Sequence, residues 1–288
     1  MDNKKKRFSF RTSLAGRLTA LALAAAITLI GIVPGTAAPA EAATIYKWGV
    51  FIGTKVTSTA KVKNYQKIVI DAQNYSAAEI KRLKSGGRKV YSYLSIGSIA
   101  TYRSYYNRFK KYSLGKYTNW SAERWIDTSK VAWQDFCVNE LAKSFKRKGV
   151  DGLWVDNTDV WYEYHRAPIF NGLVYILRRC KKLGFAIIIN GGDVFVSHLL
   201  KSGKGACING VMQEEVITRI SDYNGNHFAM QTSADRKYYE AYLKVVKRYN
   251  KSIALLEYCK TTKTRNNIIA YCKKHGYSYY ISNNVALK

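Results

Sequence analysis

Short apolar stretches recur along the chain, and segments with helical periodicity separate them. Several stretches, such as Ile187–Ile189, are apolar on both faces, which is typical of strands in a parallel sheet that helices cover. The pattern predicts eight strands, over Tyr46–Ile52, Lys67–Ile70, Lys89–Ile96, Gly152–Val155, Phe185–Ile189, Gly210–Met212, Ile253–Leu256 and Tyr277–Ile281.

Amphipathic helices are predicted between these strands. Ser76 and Glu79 form a capping box at the start of one helix. Apolar stripes at helical spacing mark three others, and a glycine stands where each of three helices would end. The stripes are Trp133, Cys137, Leu141 and Phe145; Leu173, Ile176, Leu177 and Cys180; and Tyr239, Tyr242, Leu243 and Val246; the glycines are Gly149, Gly184 and Gly276.

Eight β-then-α units predict an α/β fold of the (β/α)8 or TIM-barrel type, which typically takes about 250 residues. An open, doubly wound sheet is the alternative, but no G-x-G-x-x-G motif follows the first strand. Because no linker divides the chain, we expect one domain over residues 43–288. Residues 98–130 are rich in Tyr, Trp, Arg and Lys, and we expect them to form an ordered excursion over the barrel mouth.

Residues 1–42 are predicted to be a secretory signal peptide. Basic residues precede an apolar stretch over residues 18–33, and Ala40-Glu41-Ala42 fits a cleavage site. The stretch is shorter than the roughly 20 residues needed to span a bilayer, and an uncleaved membrane anchor is the alternative. We therefore expect a secreted protein, extracellular or associated with the cell wall, with no transmembrane segment after cleavage.

Composition adds a strong positive charge to this picture. The chain is 47% hydrophobic and has only 3 Pro, which excludes a disordered or low-complexity protein. Its net charge is +28; without residues 1–42, which hold six basic and two acidic residues, 41 basic and 17 acidic residues leave +24. Such a charge attracts polyanions. The lysines are scattered and no nucleic-acid motif is present, so we expect association with an anionic cell wall, or plain solubility, and no nucleic-acid partner.

The five cysteines do not form a recognisable framework. Their number is odd, their spacing is wide and no C-x-x-C motif occurs, which argues against a disulfide scaffold or a zinc site. We expect most of them to be buried thiols, and a bridge within one pair stays open. They are Cys137, Cys180, Cys207, Cys259 and Cys272.

Acidic residues gather at the carboxyl ends of the predicted strands, where barrel enzymes place their active sites. Asp156 is the hardest of them to explain structurally, because it follows three apolar residues and precedes more polar ones. One of Glu214 and Glu215 should point outward, since neighbouring strand residues face opposite sides. Helix or turn capping is an equal alternative for two of the seven, Asp71 and Asp193. The seven are Asp71, Asp156, Asp159, Asp193, Glu214, Glu215 and Glu257.

Several carboxylates and few histidines favour glycoside hydrolysis, in which two carboxyl groups flank a glycosidic bond. Ser-His-Asp hydrolysis is disfavoured, because no G-x-S-x-G motif occurs and none of the four histidines ends a strand. A metal hydrolase would need clustered His and Asp, and the histidines are far apart. We expect neither a metal nor another cofactor.

Four segments resemble the glycoside hydrolase family of endo-α-1,4-polygalactosaminidases, and the resemblance extends over residues 46–284. The segments are Val69–Tyr75, Tyr91–Gly97, Gly152–Asp159 and Ile189–Asp193. The resemblance implies a (β/α)8 barrel that cleaves galactosamine-containing polysaccharides. It implies that Asp156 is one catalytic residue and that the other is Glu214 or, one step further, Glu215; we choose Glu214.

The remaining polar and aromatic residues near the strand ends are expected to bind the sugar. They are Asp71, Tyr75, Tyr93, Asn157, Asp159, Trp161, Tyr162, Asn190, Glu257 and Tyr258. Rings in this set can stack on apolar sugar faces, although ordinary packing explains each of them equally well. The sequence leaves open whether the anomeric configuration is retained or inverted.

The positive charge conflicts with a cationic polygalactosamine substrate. Either acids in the cleft reverse the sign locally, or the substrate is neutral, N-acetylated or anionic, which we favour at this point. Two other classes of function stay open. One is a barrel that binds cell-wall polysaccharide or exopolysaccharide without cleaving it, and the other is a secreted nuclease or phosphodiesterase, against which the lack of metal-ligand spacing counts.

Overall fold

The computed structural model describes residues 48–118 and 120–288, and the predicted signal peptide, residues 1–42, lies outside the described residues. Eight parallel strands lie side by side in chain order, and the first and last come together to give a nearly closed barrel. The (β/α)8 fold and all eight strands are therefore confirmed. The barrel strands are β1 Trp48–Phe51, β2 Lys67–Ile70, β3 Lys89–Ser95, β7 Gly152–Asp156, β8 Ala186–Asn190, β9 Gly210–Glu214, β12 Ser252–Tyr258 and β13 Ser278–Ser282.

Two strands run two residues further than their apolar residues predict, and β7, β8 and β13 run one residue further. β9 continues to Glu214 and β12 to Tyr258. Leu256 of β12 stands opposite Glu214 of β9 in the parallel ladder. Ladder hydrogen bonds are made by the backbone, so polar side chains can occupy the last positions of a strand.

Nine α-helical segments are present in the described ranges. The capping box of Ser76 and Glu79 is confirmed at the start of α1. Gly149, Gly184 and Gly276 each follow a helix with a positive φ, as a glycine at a helix end does. The helices are α1 Ala77–Leu83, α2 Tyr106–Phe109, α3 Val131–Asp135, α4 Lys143–Arg147, α5 Val160–Tyr164, α6 Ala167–Lys182, α7 Asp193–Lys201, α8 Ser233–Arg248 and α9 Thr262–His275.

A π-helical segment, Phe136–Ala142, joins α3 to α4 and explains an unusual apolar repeat. Residues spaced by four along a straight α-helix drift around its axis, because the helix has 3.6 residues per turn. The wider π turns take up the extra residues. Trp133, Cys137 and Phe145 are therefore all buried, with Leu141 partly buried beside them.

The apolar core consists of two clusters on the two sides of the barrel wall. The larger lies between strands and helices and includes Leu153 and Val155 of β7. The smaller fills the barrel interior and includes Trp154 from the same strand. The alternation along each strand separates the two clusters. All five cysteines are buried and unpaired, which confirms that they are buried thiols.

Two insertions cover the end of the barrel at which the parallel strands finish. The expected excursion contains a three-stranded antiparallel sheet of β4 Ser98–Ala100, β5 Ser113–Lys116 and β6 Glu123–Ile126. A hairpin of β10 Thr218–Asp222 and β11 His227–Met230, which the sequence did not predict, follows β9. The two insertions meet where the rings of Trp120 and Tyr223 lie 6.0 Å apart. The helices of the described ranges include none long and apolar enough to cross a membrane.

Candidate active site

The alternation of strand side chains selects which polar residues share the barrel interior. Trp154, Ile188, Met212 and Leu256 all pack inside the barrel. Side chains two positions further along the same strands face the same side. The four residues at those positions are Asp156, Asn190, Glu214 and Tyr258.

The side-chain amide of Asn190 joins the two predicted catalytic carboxyls. Its Nδ2 donates to Oδ1 of Asp156 at 3.2 Å and to Oε1 of Glu214 at 2.6 Å. Because one nitrogen contacts both oxygens, the separation of those two oxygens cannot exceed the sum of the two distances. Oε2 of Glu214 also accepts a hydrogen bond of 2.6 Å from the Tyr258 hydroxyl.

The surroundings of the two carboxyls favour their protonated forms. Burial, then the nearby Glu214 and Glu123 carboxyls, raise the pKa of Asp156 to about 8. Burial also raises the pKa of Glu214, although the hydrogen bonds from Tyr258 and Asn190 oppose the rise. With its pKa raised to about 8, Asp156 keeps its proton at neutral pH, next to a second carboxyl with which its titration is coupled. Such a pair can offer one bond both an acid and a nucleophile or base.

Tyrosines surround the carboxyl pair. Tyr258 is buried against it, and Tyr93, Tyr117 and Tyr223 are partly exposed. The pKa of Tyr93 is raised first by burial and then by Asp156. Burial and then the negative charges of the site raise the pKa of Tyr117 and Tyr223 as well, which places both rings close to the pair. The site therefore offers aromatic faces next to two carboxyls, a combination suited to sugars.

A sequence profile of glycoside-hydrolase family GH114 matches residues 33–286. The chain belongs to this family. It is therefore a glycoside hydrolase, which confirms the reaction class predicted from the strand-end carboxylates. No curated protein sequence matches this GH114 member.

Solved structures confirm the fold of the hydrolase. The glycoside hydrolase domain of PelA from Pseudomonas aeruginosa is 17% identical, with a TM-score of 0.71 over 84% of this chain and 95% of that one. Ega3 from Aspergillus fumigatus, solved in complex with galactosamine, is 18% identical, with a TM-score of 0.66 over 88% and 96% of the two chains. The α-galactosidase TtGalA from Thermus thermophilus is 8% identical, with a TM-score of 0.53 over 81% and 57%.

Glu257 of the hydrolase faces away from the barrel interior, since it stands between the inward-facing Leu256 and Tyr258, whereas Glu215 lies just past the end of β9 with a left-handed φ of 58°. Glu215 accepts a hydrogen bond from the backbone N–H of Ile220 in the hairpin. Glu257 is fully buried, and its two oxygens accept four hydrogen bonds from the backbone N–H groups of residues 216–218 and the Thr218 hydroxyl. Glu257 therefore fixes the loop that follows Glu214, and substrate contact by Glu257 stays a prediction.

Asp71 and Tyr75 are bound to neighbouring segments. Asp71 caps the short turn after β2 and forms an ion pair with Arg103 of the excursion, at 2.7 Å. The hydroxyl of Tyr75, which is buried, accepts a hydrogen bond of 2.6 Å from the backbone N–H of Val56. These contacts explain both side chains without a substrate, so their part in sugar binding also stays a prediction.

Asn157 connects the end of β7 to the excursion. It adopts a left-handed backbone conformation with φ 64°, which asparagine tolerates better than most residues. Its Nδ2 donates to the hydroxyls of Ser95 and Ser98 at 3.0 and 2.8 Å. Asp159 lies near Tyr117, whose pKa it helps to raise after burial and Asp156.

Glu123 is a residue of the site that the sequence analysis did not identify. It lies on β6 in the excursion, far in sequence from every barrel strand end. Oε2 accepts hydrogen bonds from the Ser98 hydroxyl and, at 3.4 Å, from Nδ2 of Asn157, and the Glu123 charge helps to raise the pKa of Asp156. Glu123 and Asp127 are the only acidic residues of the excursion, among many basic ones, and that contrast was the only signal in the sequence.

Proposed function

We propose that this GH114 hydrolase cleaves internal bonds of a galactosamine-containing polysaccharide, with Asp156 and Glu214 as its catalytic pair. The observation that carries the proposal is the amide of Asn190, whose bonds of 3.2 and 2.6 Å to the two carboxyls limit how far apart their oxygens can lie. Carboxyls lie about 5–5.5 Å apart in retaining glycosidases and about 6.5–9.5 Å apart in inverting ones. The sum of the two bonds limits only the separation of the two oxygens that Asn190 bridges; that separation falls short of the inverting range, which favours retention, and we also propose that the anomeric configuration is retained.

The reaction then has two steps. In the first, one carboxylate attacks the anomeric carbon while the other carboxyl, protonated, gives its proton to the departing glycosidic oxygen. The C–O bond breaks and a glycosyl ester forms. In the second, the carboxyl that gave its proton removes one from a water molecule, which attacks the same carbon, breaks the ester bond, and so releases the sugar and regenerates the carboxylate. Asp156 and Glu214 divide the two roles between them.

The shared proton supplies the starting state of this mechanism. Because the pKa of Asp156 is raised to about 8, we propose that the coupled pair holds one proton at neutral pH. Asn190 and Tyr258 donate to the pair and hold both carboxyls in place. Among the predicted sugar-binding residues, Tyr93, Asn190 and Tyr258 lie nearest to the reacting groups, and we propose them as the inner part of the substrate site.

The distribution of charge supports an amino-sugar substrate in spite of the basic composition. The catalytic end holds Asp156, Glu214 and Glu123 close together. Many basic residues lie in the last turns of the helices, at the opposite end of the barrel, where their positive charges interact favourably with the negative ends of the helix dipoles. They include Lys81, Arg82, Arg179, Lys181, Lys182, Lys247, Arg248, Lys273 and Lys274. The three carboxyls therefore suit a cationic polymer at the reacting groups themselves, while the excursion over the same end carries basic residues further from the pair.

Residues 1–42 bear on the compartment in which the enzyme acts on its substrate. Their basic, apolar and small-residue segments support export, and we propose that the enzyme acts outside the cell. A matrix polysaccharide is accessible there. The galactosamine in the Ega3 structure is consistent with this substrate class.

Purified α-1,4-linked polygalactosamine tests the proposal directly. We expect the enzyme to release oligosaccharides with or without a chelator, and expect Asp156→Asn and Glu214→Gln to lower turnover by at least about a thousandfold. Glu140→Gln is the matched control, because it makes the same kind of change at an exposed side chain on the outer surface, and it should leave activity unchanged. Proton NMR should show the α-anomer as the first product.

Three results would contradict the proposal. Full activity in either variant would remove that residue from the catalytic pair. Retention of the polymer without cleavage would identify a binding protein. The β-anomer as first product would identify an inverting enzyme.

A further inference from the structure

A small pocket opens beside Asp156, on the side away from Glu214. Strand β3 pairs with β7 so that Ser95 stands opposite Asp156, whereas β8 separates β7 from β9 and its Glu214. Ser95 lines the pocket together with Arg103 and Glu123 of the excursion. The pocket is thus placed to receive a substituent of the sugar that the catalytic pair holds.

One oxygen of Glu123, a residue that lines the pocket, is bound by the protein, and the other has no hydrogen-bond partner among the described residues. Oε2 accepts the hydrogen bonds from Ser98 and Asn157, and no donor in the described residues reaches Oε1. Burial raises the pKa of Glu123. A carboxylate in such surroundings is costly to keep ionised unless a donor or a cation compensates it.

The nearest cation is already largely neutralised. Nη1 of Arg103 lies 2.7 Å from Oδ2 of Asp71, which balances most of its charge, and what remains opposes the rise in the pKa of Glu123 that burial causes. Within the described ranges, no lysine or arginine forms an ion pair with Asp156, Glu214 or Glu123. The site therefore carries an excess of carboxyl groups that a bound cation would relieve.

We propose that Glu123 binds the ammonium group of an unacetylated amino sugar and so determines the substrate specificity of the enzyme. This inference rests on the proposed function and identifies the residue that recognises the amino group of the sugar. An ammonium group carries a full charge and three donors, so it satisfies Oε1 and balances its charge. A neutral acetamide cannot balance that charge.

Aromatic rings of the same pocket suit a cation as well. Tyr93 and Tyr102 both line it; Tyr102 is 70% exposed to solvent, and the guanidinium carbon of Arg103 lies 5.4 Å from the centre of its ring. The faces of tyrosine rings attract cations. Glu123 and Tyr93 thus line one pocket, and a carboxylate beside a tyrosine ring is suitable chemistry for an ammonium group.

The test compares two preparations of one α-1,4-linked galactosamine polymer, one fully de-N-acetylated and one fully re-N-acetylated. Glu123→Gln should lower kcat/KM on the free-amine polymer by at least about tenfold, mainly through KM, and change that on the acetylated polymer by less than about twofold. Glu140→Gln removes the same charge on the outer surface and should change neither value. Titration calorimetry with both kinds of oligomer in a Glu214→Gln background gives the same comparison for binding, independently of turnover.

Four results would overturn the inference. The first is an equal loss on both polymers, which a purely structural or positioning role of Glu123 would give, and the second is no loss on either polymer. The third is equal binding of the free-amine oligomer by the variants with and without Glu123. The fourth is a wild-type preference for the acetylated polymer. A wild-type enzyme that cleaves neither polymer would instead contradict the proposed function, so the two failures are distinguishable.

Discussion

Replacing Asp156 by asparagine should stabilise the fold at neutral pH even as it removes activity. In the fold, burial and the neighbouring carboxyls keep this side chain protonated up to a pKa of about 8. In the unfolded chain an aspartate ionises at about 3.9. The unfolded state therefore releases a proton that the folded state keeps, and the free energy of unfolding falls as the pH rises from about 4 to about 8. Asn cannot ionise, so the variant escapes this loss.

The size of the effect follows from the same two values. A difference of about four pH units, at about 1.4 kcal/mol each, sets an upper limit of roughly 5 kcal/mol at pH 8. Asp156 is only partly buried by surface area, and solvent and local relaxation reduce the cost. We expect a measured gain of about 1–3 kcal/mol, or several degrees in Tm.

Thermal unfolding followed by circular dichroism between pH 4 and pH 8 measures this gain. The Tm of Asp156→Asn should match that of the wild type at pH 4 and exceed it increasingly above pH 5. Glu140→Gln, with its exposed side chain, should show no such divergence. A variant that is no more stable than the wild type at pH 8, or equally more stable at both ends, would refute the electrostatic account of Asp156.

Three further changes probe the support of the catalytic pair. Tyr258→Phe removes the hydroxyl that donates a hydrogen bond to Glu214. Because a hydrogen bond to a charged group is worth about 1.5–3 kcal/mol, the acidic limb of the pH profile of kcat/KM should move up by about 1–2 pH units. An unmoved limb would contradict the role of this bond. Glu257→Ala leaves three buried backbone N–H groups without their acceptor, so the free energy of unfolding, measured by chemical denaturation, should fall by about 2–4 kcal/mol. An unchanged denaturation midpoint would show that other contacts hold the loop. Asn190→Ala removes the amide between the two carboxyls and should lower kcat at least about tenfold with little change in KM; a change in KM alone would assign Asn190 to substrate binding.

The barrel and its catalytic end could be predicted because the information is local. Each apolar stretch marks one strand, and the two-residue period of a strand fixes which side chains share a face. The same period distinguishes Glu214 from Glu215, since Met212 packs inside the barrel and Glu214 stands two positions further. Asn190 follows the same rule from Ile188.

The period also explains the position of Glu257. Leu256 and Tyr258 both face the interior, so the residue between them points toward the helix side. There the Glu257 side chain binds backbone N–H groups that would otherwise be buried without partners. Its place at a strand end made it resemble a site residue, and its phase along the strand separates it from the pair.

The rest of the site depends on contacts between segments distant in sequence. Glu123 reaches Asn157 only because the excursion folds back over the barrel mouth, and no spacing in the chain specifies that path. Tyr223 likewise comes from a hairpin whose strands are short and partly polar. The π-helical segment Phe136–Ala142 is a similar case, because its apolar repeat fits an ordinary helix almost as well.

The most direct test of the catalytic pair is covalent trapping of the intermediate. An activated 5-fluoro glycoside of the substrate sugar slows the second step of a retaining glycosidase, so that the glycosyl ester accumulates and can be located by peptide mass spectrometry. The account predicts one sugar per chain, on the peptide that carries Asp156 or the one that carries Glu214, with no label when that residue is replaced by its amide. A label on any other residue, or steady turnover of the reagent without an ester, would contradict it.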